Sequence, residues 1–310
     1  MSKPPGPMRD LTWRIEAFGF DLASAALRLL PTDWASGLGA ALFKALGPLS
    51  SSHRIAERNV RLAFPDWSDA EREALLAEQW SNLGRAFFEF PMTDRLTRAS
   101  GRVEVEGAER LDEIARGGTP VVFVSGHFSN WEVMPIAILE AGIVCQITYR
   151  AANNPYVDRR IKERRARYGV RLFAPKGGEG SRELLTAMGR GESVALMNDQ
   201  KFNGGLEAPF FDRPVHTASG PTRLALKYGA SLQPMSVQRT RGARFKVVVH
   251  EPIPLERSGD RARDLQAGVE KVNAFVEARV RERPAEWFWV HKRWPATAYA
   301  ELAASERGKA

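Results

Sequence analysis

Beyond residue 100 the chain alternates short β-rich runs, at 121–125, 144–149, 193–197, 232–238 and 245–250, with segments of helical pattern. Runs so short cannot bury themselves, and their alternation with helices predicts an α/β fold: a mixed central sheet flanked by helices. The first ninety residues have a different texture. Trp13, Phe18, Phe20, Leu22, Ala25, Leu29 and Leu30 give a helix with a broad apolar side that Pro31 stops. A second helical pattern over 33–46 leads to the polar break Ser50-Ser51-Ser52, and a third over 68–90 opens on a Ser68/Glu71 capping signal. The expected organisation is a helical N-terminal extension over 1–100 packed on an α/β domain over 101–300. A tail over 301–310 has little to bury and is expected to be flexible.

Asp21 and Arg28 interrupt the apolar stretch 17–30, and no small-residue cleavage site follows it, so it reads neither as a signal peptide nor as a span. Such a helix either lies on a membrane or covers the core of its own protein, and the segment alone leaves both open. Forty-five Lys and Arg against 37 Asp and Glu give a formal charge of +8, which predicts attraction to nucleic acid, a phospholipid surface or an acidic protein without choosing among them. An apolar content of 44% over 310 residues supplies a core and excludes overall disorder. The single cysteine, Cys145, allows no internal disulfide and sits in a β-rich run, which fits a reducing compartment.

The chemistry concentrates at Val121-Val122-Phe123-Val124-Ser125-Gly126-His127-Phe128-Ser129-Asn130-Trp131-Glu132, where an apolar strand runs through Gly126 into a helical pattern. His127 therefore sits at the carboxyl end of a strand, where the loops of an open α/β sheet form a crevice. Five residues apart on a regular helix, His127 and Glu132 would be separated by roughly 140°. Only if His127 precedes the helix can its ring fold back to the Glu132 carboxylate, making a base with its orienting acid. Such a pair takes a proton from a substrate hydroxyl and needs no serine or cysteine nucleophile. A structural histidine near a helix start has the same spacing.

Rival chemistries lack their motifs. His53, His216, His250 and His291 are scattered, no His-Glu-x-x-His set occurs, and no Gly-x-Ser-x-Gly elbow occurs, so neither metal nor cofactor is expected. A non-catalytic anionic-surface binding module would explain the charge but not the placement of His127 and Glu132.

The His127/Glu132 motif resembles the His-x4-Asp/Glu signature of glycerolipid acyltransferases and, more closely, the bacterial lipid A late (lauroyl or myristoyl) acyltransferase family. The resemblance extends over most of the chain. It includes Arg58-Asn59-Val60-Arg61-Leu62-Ala63-Phe64-Pro65, Gly126 to Glu132, Tyr149-Arg150, Asn153-Asn154-Pro155, Asn198-Asp199-Gln200, Pro209-Phe210-Phe211, Thr217-Ala218-Ser219-Gly220 and Trp287-Phe288-Trp289-Val290-His291-Lys292-Arg293-Trp294.

The resemblance implies a glycerolipid-acyltransferase-like fold and transfer of a fatty acyl chain from acyl carrier protein to the hydroxyl of a lipid A precursor. Nucleic acid would not be a partner. His127 would be the base, held by Glu132. Arg150 and Arg165, with the backbone N–H groups of the helix after His127, would face the oxyanion, and Asn154, Asp199 and Gln200 would bind or position substrate. For Asp199 a turn or cap is the alternative reading.

Arg165 lies in a basic run with Arg159, Arg160, Lys162, Arg164, Arg167 and Arg171, which would attract an acidic carrier protein and a phosphorylated lipid. The implied location is the cytoplasmic face of the bacterial inner membrane, attached peripherally or monotopically. A phospholipid-like or other glycolipid acceptor is the alternative. The tryptophans near residue 290 are expected to close the site.

Overall fold

The computed structural model describes residues 6–149, 151–173 and 178–307. Four helices come first: α1 (Pro7–Leu29), α2 (Thr32–Leu46), α3 (Ser51–Ala63) and α4 (Asp69–Glu89). The α/β part then runs β1 (Val103–Glu106), α5 (Ala108–Gly117), β2 (Val122–Ser125), α6 (Val133–Glu140), β3 (Cys145–Thr148), α7 (Pro155–Arg167), β4 (Arg171–Phe173), α8 (Gly178–Gly189) and β5 (Ser193–Met197). A hairpin of β6 (Leu206–Phe210) and β7 (Arg213–Thr217) follows, then α9 (Gly220–Tyr228), β8 (Leu232–Arg241), β9 (Arg244–Val249), α10 (Arg261–Glu282) and α11 (Ala296–Arg307).

Seven strands form one mixed sheet in the order β1-β9-β8-β2-β5-β3-β4, parallel except for the β8/β9 pair. The central strand β2 is buried along its whole length, as a parallel strand covered on both faces must be. Its side chains divide by alternation. Val122 and Val124 pack with Leu184, Met188 and Leu224 on one face, while Phe123 packs with Met134 and Ile138 on the other.

Small residues and ion pairs knit the helical extension together, and the pair Arg102–Asp33 ties it to this layer. A Cβ on Gly39 would lie 2.3 Å from the Gly84 carbonyl oxygen, and one on Gly84 would lie 2.1 Å from that of Gly39, so α2 and α4 cross where only glycine fits. Ser68 and Glu71 close the expected capping box at the start of α4. Arg28 reaches Asp94 at 2.6 Å, and Arg102 reaches Asp33 at 3.0 Å.

Several elements differ from their expected form. The first helix starts at Pro7, ten residues before the apolar stretch, and Ser50 ends a turn and precedes α3 where a break was expected. The C-terminal tail is helical to Arg307. Residues 301–307 of the tail continue α11, and Arg61 pairs with Glu306 at 3.1 Å; just before the tail, Tyr299 donates to Asn59 Oδ1 at 2.6 Å. In α1 only Ala17 and Ser24 are buried, whereas Met8, Leu11, Ile15, Phe18 and Leu22 stand exposed at helical spacing. The apolar side therefore does not cover the protein's own core. Trp34, Leu38 and Leu42 of α2 are exposed as well. Among the described residues no helix is long and apolar enough to cross a membrane.

Candidate active site

Neighbouring parallel strands β2 and β5 pair Ser125 with Met197. Two residues past each lie His127 and Asp199, so strand register brings them side by side at the carboxyl edge. Gly126 permits the approach: a Cβ there would lie 2.8 Å from the Phe128 ring and 3.3 Å from Asp199 Cβ. One Asp199 oxygen lies 2.8 Å from His127 Nδ1. The other accepts from the His127 backbone N–H at 2.8 Å and from the Trp287 indole N–H at 2.9 Å. Burial alone would raise the Asp199 carboxyl. The His127 imidazole and these hydrogen bonds overcome it and hold the group well below the usual carboxylate range. An ionised Asp199 accepting from Nδ1–H leaves the Nε2 lone pair as the basic one.

Glu132 does not hold His127. After Gly126 the chain does not enter a helix directly: Ser129 takes φ +46°, its N–H donates to Glu286 O at 2.7 Å, and Phe128 bridges to Trp287. Helix α6 starts only at Val133, with Glu132 at its N-cap position, so the ring has no first turn to fold over. Both Glu132 oxygens instead accept from Arg165, Nε at 2.9 Å on one and Nη2 on the other. Burial opposes the Arg165 charge, and Glu132 outweighs it and keeps the guanidinium firmly protonated. This bidentate pair fixes α7 against the loop. Arg165 is thereby engaged rather than free for an oxyanion, although it still lines the pocket described below.

A second buried acid organises the loop from behind. Glu89, fully buried at the end of α4, receives Arg239 at 2.5 and 3.0 Å, Ser36 Oγ at 2.7 Å and Asn130 Nδ2 at 2.8 Å. Asn130 Oδ1 in turn accepts from the Glu132 N–H at 3.2 Å. Nothing in the sequence around Glu89 marks it, because its partners come from residues 36, 130 and 239.

His127 and Trp131 line two cavities. The larger, of about 260 Å³, runs along the carboxyl half of the sheet and is walled by Met134, Pro135, Ile138, Ile147, Met197 and Met235. Its apolar walls suit a hydrocarbon chain. The smaller has about 10 Å³ of room, enough for one water-sized atom, and Gln79 and Ser129 line it. Both are almost wholly buried, and neither the Gln79 amide atoms nor Ser129 Oγ has a hydrogen-bond partner among the described residues.

The remaining expected site residues fall elsewhere. Arg150 lies outside the described residues. Asn154 caps α7 through the N–H groups of Tyr156 and Val157 and donates to Trp13 O and Glu16, so it ties α7 to α1 rather than holding substrate. Gln200 does not line the pocket. Asp199 sits at the expected sheet edge, where it partners His127. In the basic run, Arg160 pairs with Asp21 at 2.6 Å and Arg164 donates to Pro91 O at 2.7 Å, while Arg159 and Arg167 stay exposed.

Chemically, an imidazole braced by a buried carboxylate at the mouth of an apolar pocket can take a proton from a hydroxyl delivered beside a hydrocarbon chain, which is the equipment of an α/β group-transfer enzyme. The chain belongs to the bacterial lipid A biosynthesis acyltransferase family, whose model matches residues 15–296, and it is an acyltransferase. It is 28% identical to the lipid A biosynthesis palmitoleoyltransferase of Escherichia coli K12 over 256 residues, 79% of each chain. It is 26% identical to the lipid A biosynthesis lauroyltransferase of the same organism, over 83% of this chain and 84% of the other. A phosphatidylinositol mannoside acyltransferase of Mycobacterium tuberculosis is 26% identical over 75% of this chain and 72% of its own.

Proposed function

We propose that the protein moves a fatty acyl chain from acyl carrier protein to a hydroxyl of a lipid A precursor. The observation that carries this reading is the His127–Asp199 pair, with Nδ1 committed to the acid, lining a largely apolar pocket that the Glu132–Arg165 pair also lines. His127 Nε2 takes the proton of the acceptor hydroxyl, and the oxygen attacks the thioester carbonyl carbon. The tetrahedral intermediate collapses with loss of the thiolate, to which the imidazolium returns the proton. Asp199 stays ionised throughout and stabilises the imidazolium. The oxyanion falls to the unpartnered donors beside His127, Gln79 Nε2–H and Ser129 Oγ–H, in a cavity with room for one oxygen atom.

Attachment to the membrane is peripheral, through the exposed apolar sides of α1 and α2, and the exposed arginines of α7 attract the acidic carrier and the anionic lipid. In the proposed setting this is the cytoplasmic face of the inner membrane.

The test compares wild type with His127→Ala and Asp199→Ala for transfer from acyl carrier protein to a lipid A precursor, with mass spectrometry of lipids from cells lacking the protein. Loss of activity in both variants and a missing secondary acyl chain on lipid A are expected. Equal activity in all three proteins overturns the mechanism. The mycobacterial relative gives a second reading: a change confined to phospholipids or another glycolipid keeps the mechanism and replaces the acceptor.

A further inference from the structure

Two motifs singled out in the sequence play no part in the chemistry above: Arg58-Asn59 in the helical extension, and His291-Lys292-Arg293-Trp294 near the end. The fold brings them together. Asn59 donates to the carbonyls of Trp289 and His291 at 2.6 and 2.7 Å, which seats α3 on the C-terminal segment. Beside that junction opens a cavity of about 340 Å³ lined by Arg58, Lys201 and Lys292 over Ile55, Trp294 and Tyr299.

No acidic residue lines this cavity. Among the described residues Arg58, Lys201 and Lys292 have no hydrogen-bond or ion-pair partner; Arg58 and Lys292 are exposed and Lys201 is half-buried. Trp294, in the wall, is fully buried, and its indole N–H has no acceptor among the described residues. The charged side chains that line the cavity are all positive. One guanidinium and two ammonium groups suit a group with several anionic oxygens, and a phosphate fits better than a singly charged carboxylate.

Its location ties it to the reaction. Lys201 is two residues past Asp199, within about 7 Å of it along the backbone, and Lys292 follows Trp287, the other partner of Asp199, by five residues. We infer that this cavity is a phosphate-ester subsite of the active centre, formed by Arg58, Lys201 and Lys292, which holds a phosphate of one substrate while His127 acts on the same molecule or its partner. The inference rests on the proposed reaction for the identity of the substrate, not for the chemistry of the ligand. Two sources carry that chemistry: the phosphorylated acceptor lipid and the phosphate-linked arm of the carrier protein.

The experiment uses full-length wild type, the triple variant Arg58→Gln/Lys201→Gln/Lys292→Gln, and a control with equal charge loss at exposed sites, Arg54→Gln/Lys227→Gln/Arg307→Gln. Inorganic phosphate, against chloride at equal ionic strength, is expected to raise the thermal midpoint of wild type and control but not of the triple variant. In transfer assays the triple variant is expected to lose at least tenfold in kcat/KM. If the loss disappears with a dephosphorylated acceptor, the lipid is the source; if it follows the concentration of acylated carrier with either acceptor, the carrier arm is. A phosphate response equal in triple variant and wild type, with kcat/KM equal to that of the control, overturns the subsite. Absence of transfer by wild type would refute the proposed reaction instead, and the phosphate titration would still decide this inference.

Discussion

Arg165 clasps both oxygens of Glu132 while Asp199, not Glu132, braces the imidazole of His127. Two buried acids at the same sheet edge thus have separate tasks. One tunes the base. The other, with Arg165, fixes the wall in which the base sits.

Replacing Asp199 by Asn preserves shape and removes charge. The amide can present an N–H to Nδ1 and favour the wrong tautomer, and it leaves the imidazolium unsupported. A loss of about 10³–10⁴ in kcat is expected with little change in KM. Trp287→Phe removes one of the hydrogen bonds to Asp199 and should cost far less. Single-turnover transfer rates check both. An Asp199→Asn enzyme within tenfold of wild type would remove Asp199 from the mechanism.

For Glu132 the expected signature is structural. Glu132→Ala leaves a largely buried guanidinium unpaired, which costs about 3–5 kcal/mol. Urea unfolding should therefore show a large drop in stability. The more conservative Glu132→Gln should lose far less kcat than Asp199→Asn, because Glu132 does not touch the imidazole. A loss in Glu132→Gln equal to that of Asp199→Asn would return Glu132 to the role its spacing suggests.

The Glu89–Arg239 pair makes a parallel case deeper in the core. Both side chains are buried, so Glu89→Ala should destabilise by about 3–5 kcal/mol. It also frees Asn130, and with it the loop carrying His127, so kcat should fall even at temperatures where the variant is folded. Circular dichroism melts and rates measured below the transition separate the two effects.

Acid sensitivity should have an identifiable source outside the site. Burial, reinforced by Arg279, pushes His250 from 6.5 down to about 4, and its Nε2 lies 2.8 Å from Ser236 Oγ. Between those two pH values the unfolded chain binds a proton that the folded chain refuses. His250 therefore contributes fully above pH 6.5, and stability declines as pH falls toward 4. Replacing it with Gln should flatten that part of a stability-against-pH curve measured by denaturant titration. An unchanged slope would assign the loss to other groups.

What the sequence disclosed and what it hid follow from range. His127 at the end of an apolar strand was legible because strand, Gly126 and loop are contiguous. Its partner was not, because Asp199 is adjacent only through the sheet order β2-β5-β3, and a local spacing rule favoured the acid five residues away. The β6–β7 hairpin turns on Phe211 and Asp212, both at positive φ, where the usual signal is Asn-Gly or Gly-Gly. Strand β1 spans only four residues and draws its stability from pairing with β9, whose partner residues lie 142 positions further on.

The apolar side of the first helix was legible as a pattern but not as a surface, since periodicity cannot say which face is covered. In the fold Phe18 is 67% and Leu22 62% exposed, on a helix that touches the body through a narrow stripe around Ala17 and Ser24. Burying two such side chains in a bilayer interface is worth about 1.5–3 kcal/mol each, so Phe18→Glu/Leu22→Glu should weaken binding to anionic phospholipid vesicles by about 100-fold. Neither residue reaches His127 or Asp199, so transfer to a detergent-dispersed acceptor should stay near the wild-type rate while transfer to vesicle-borne acceptor falls. Cosedimentation at low and high salt separates the apolar from the electrostatic share, because the contribution of Arg159 and Arg167 is screened and that of Phe18 is not. Undiminished sedimentation of the double variant would move the membrane contact off α1.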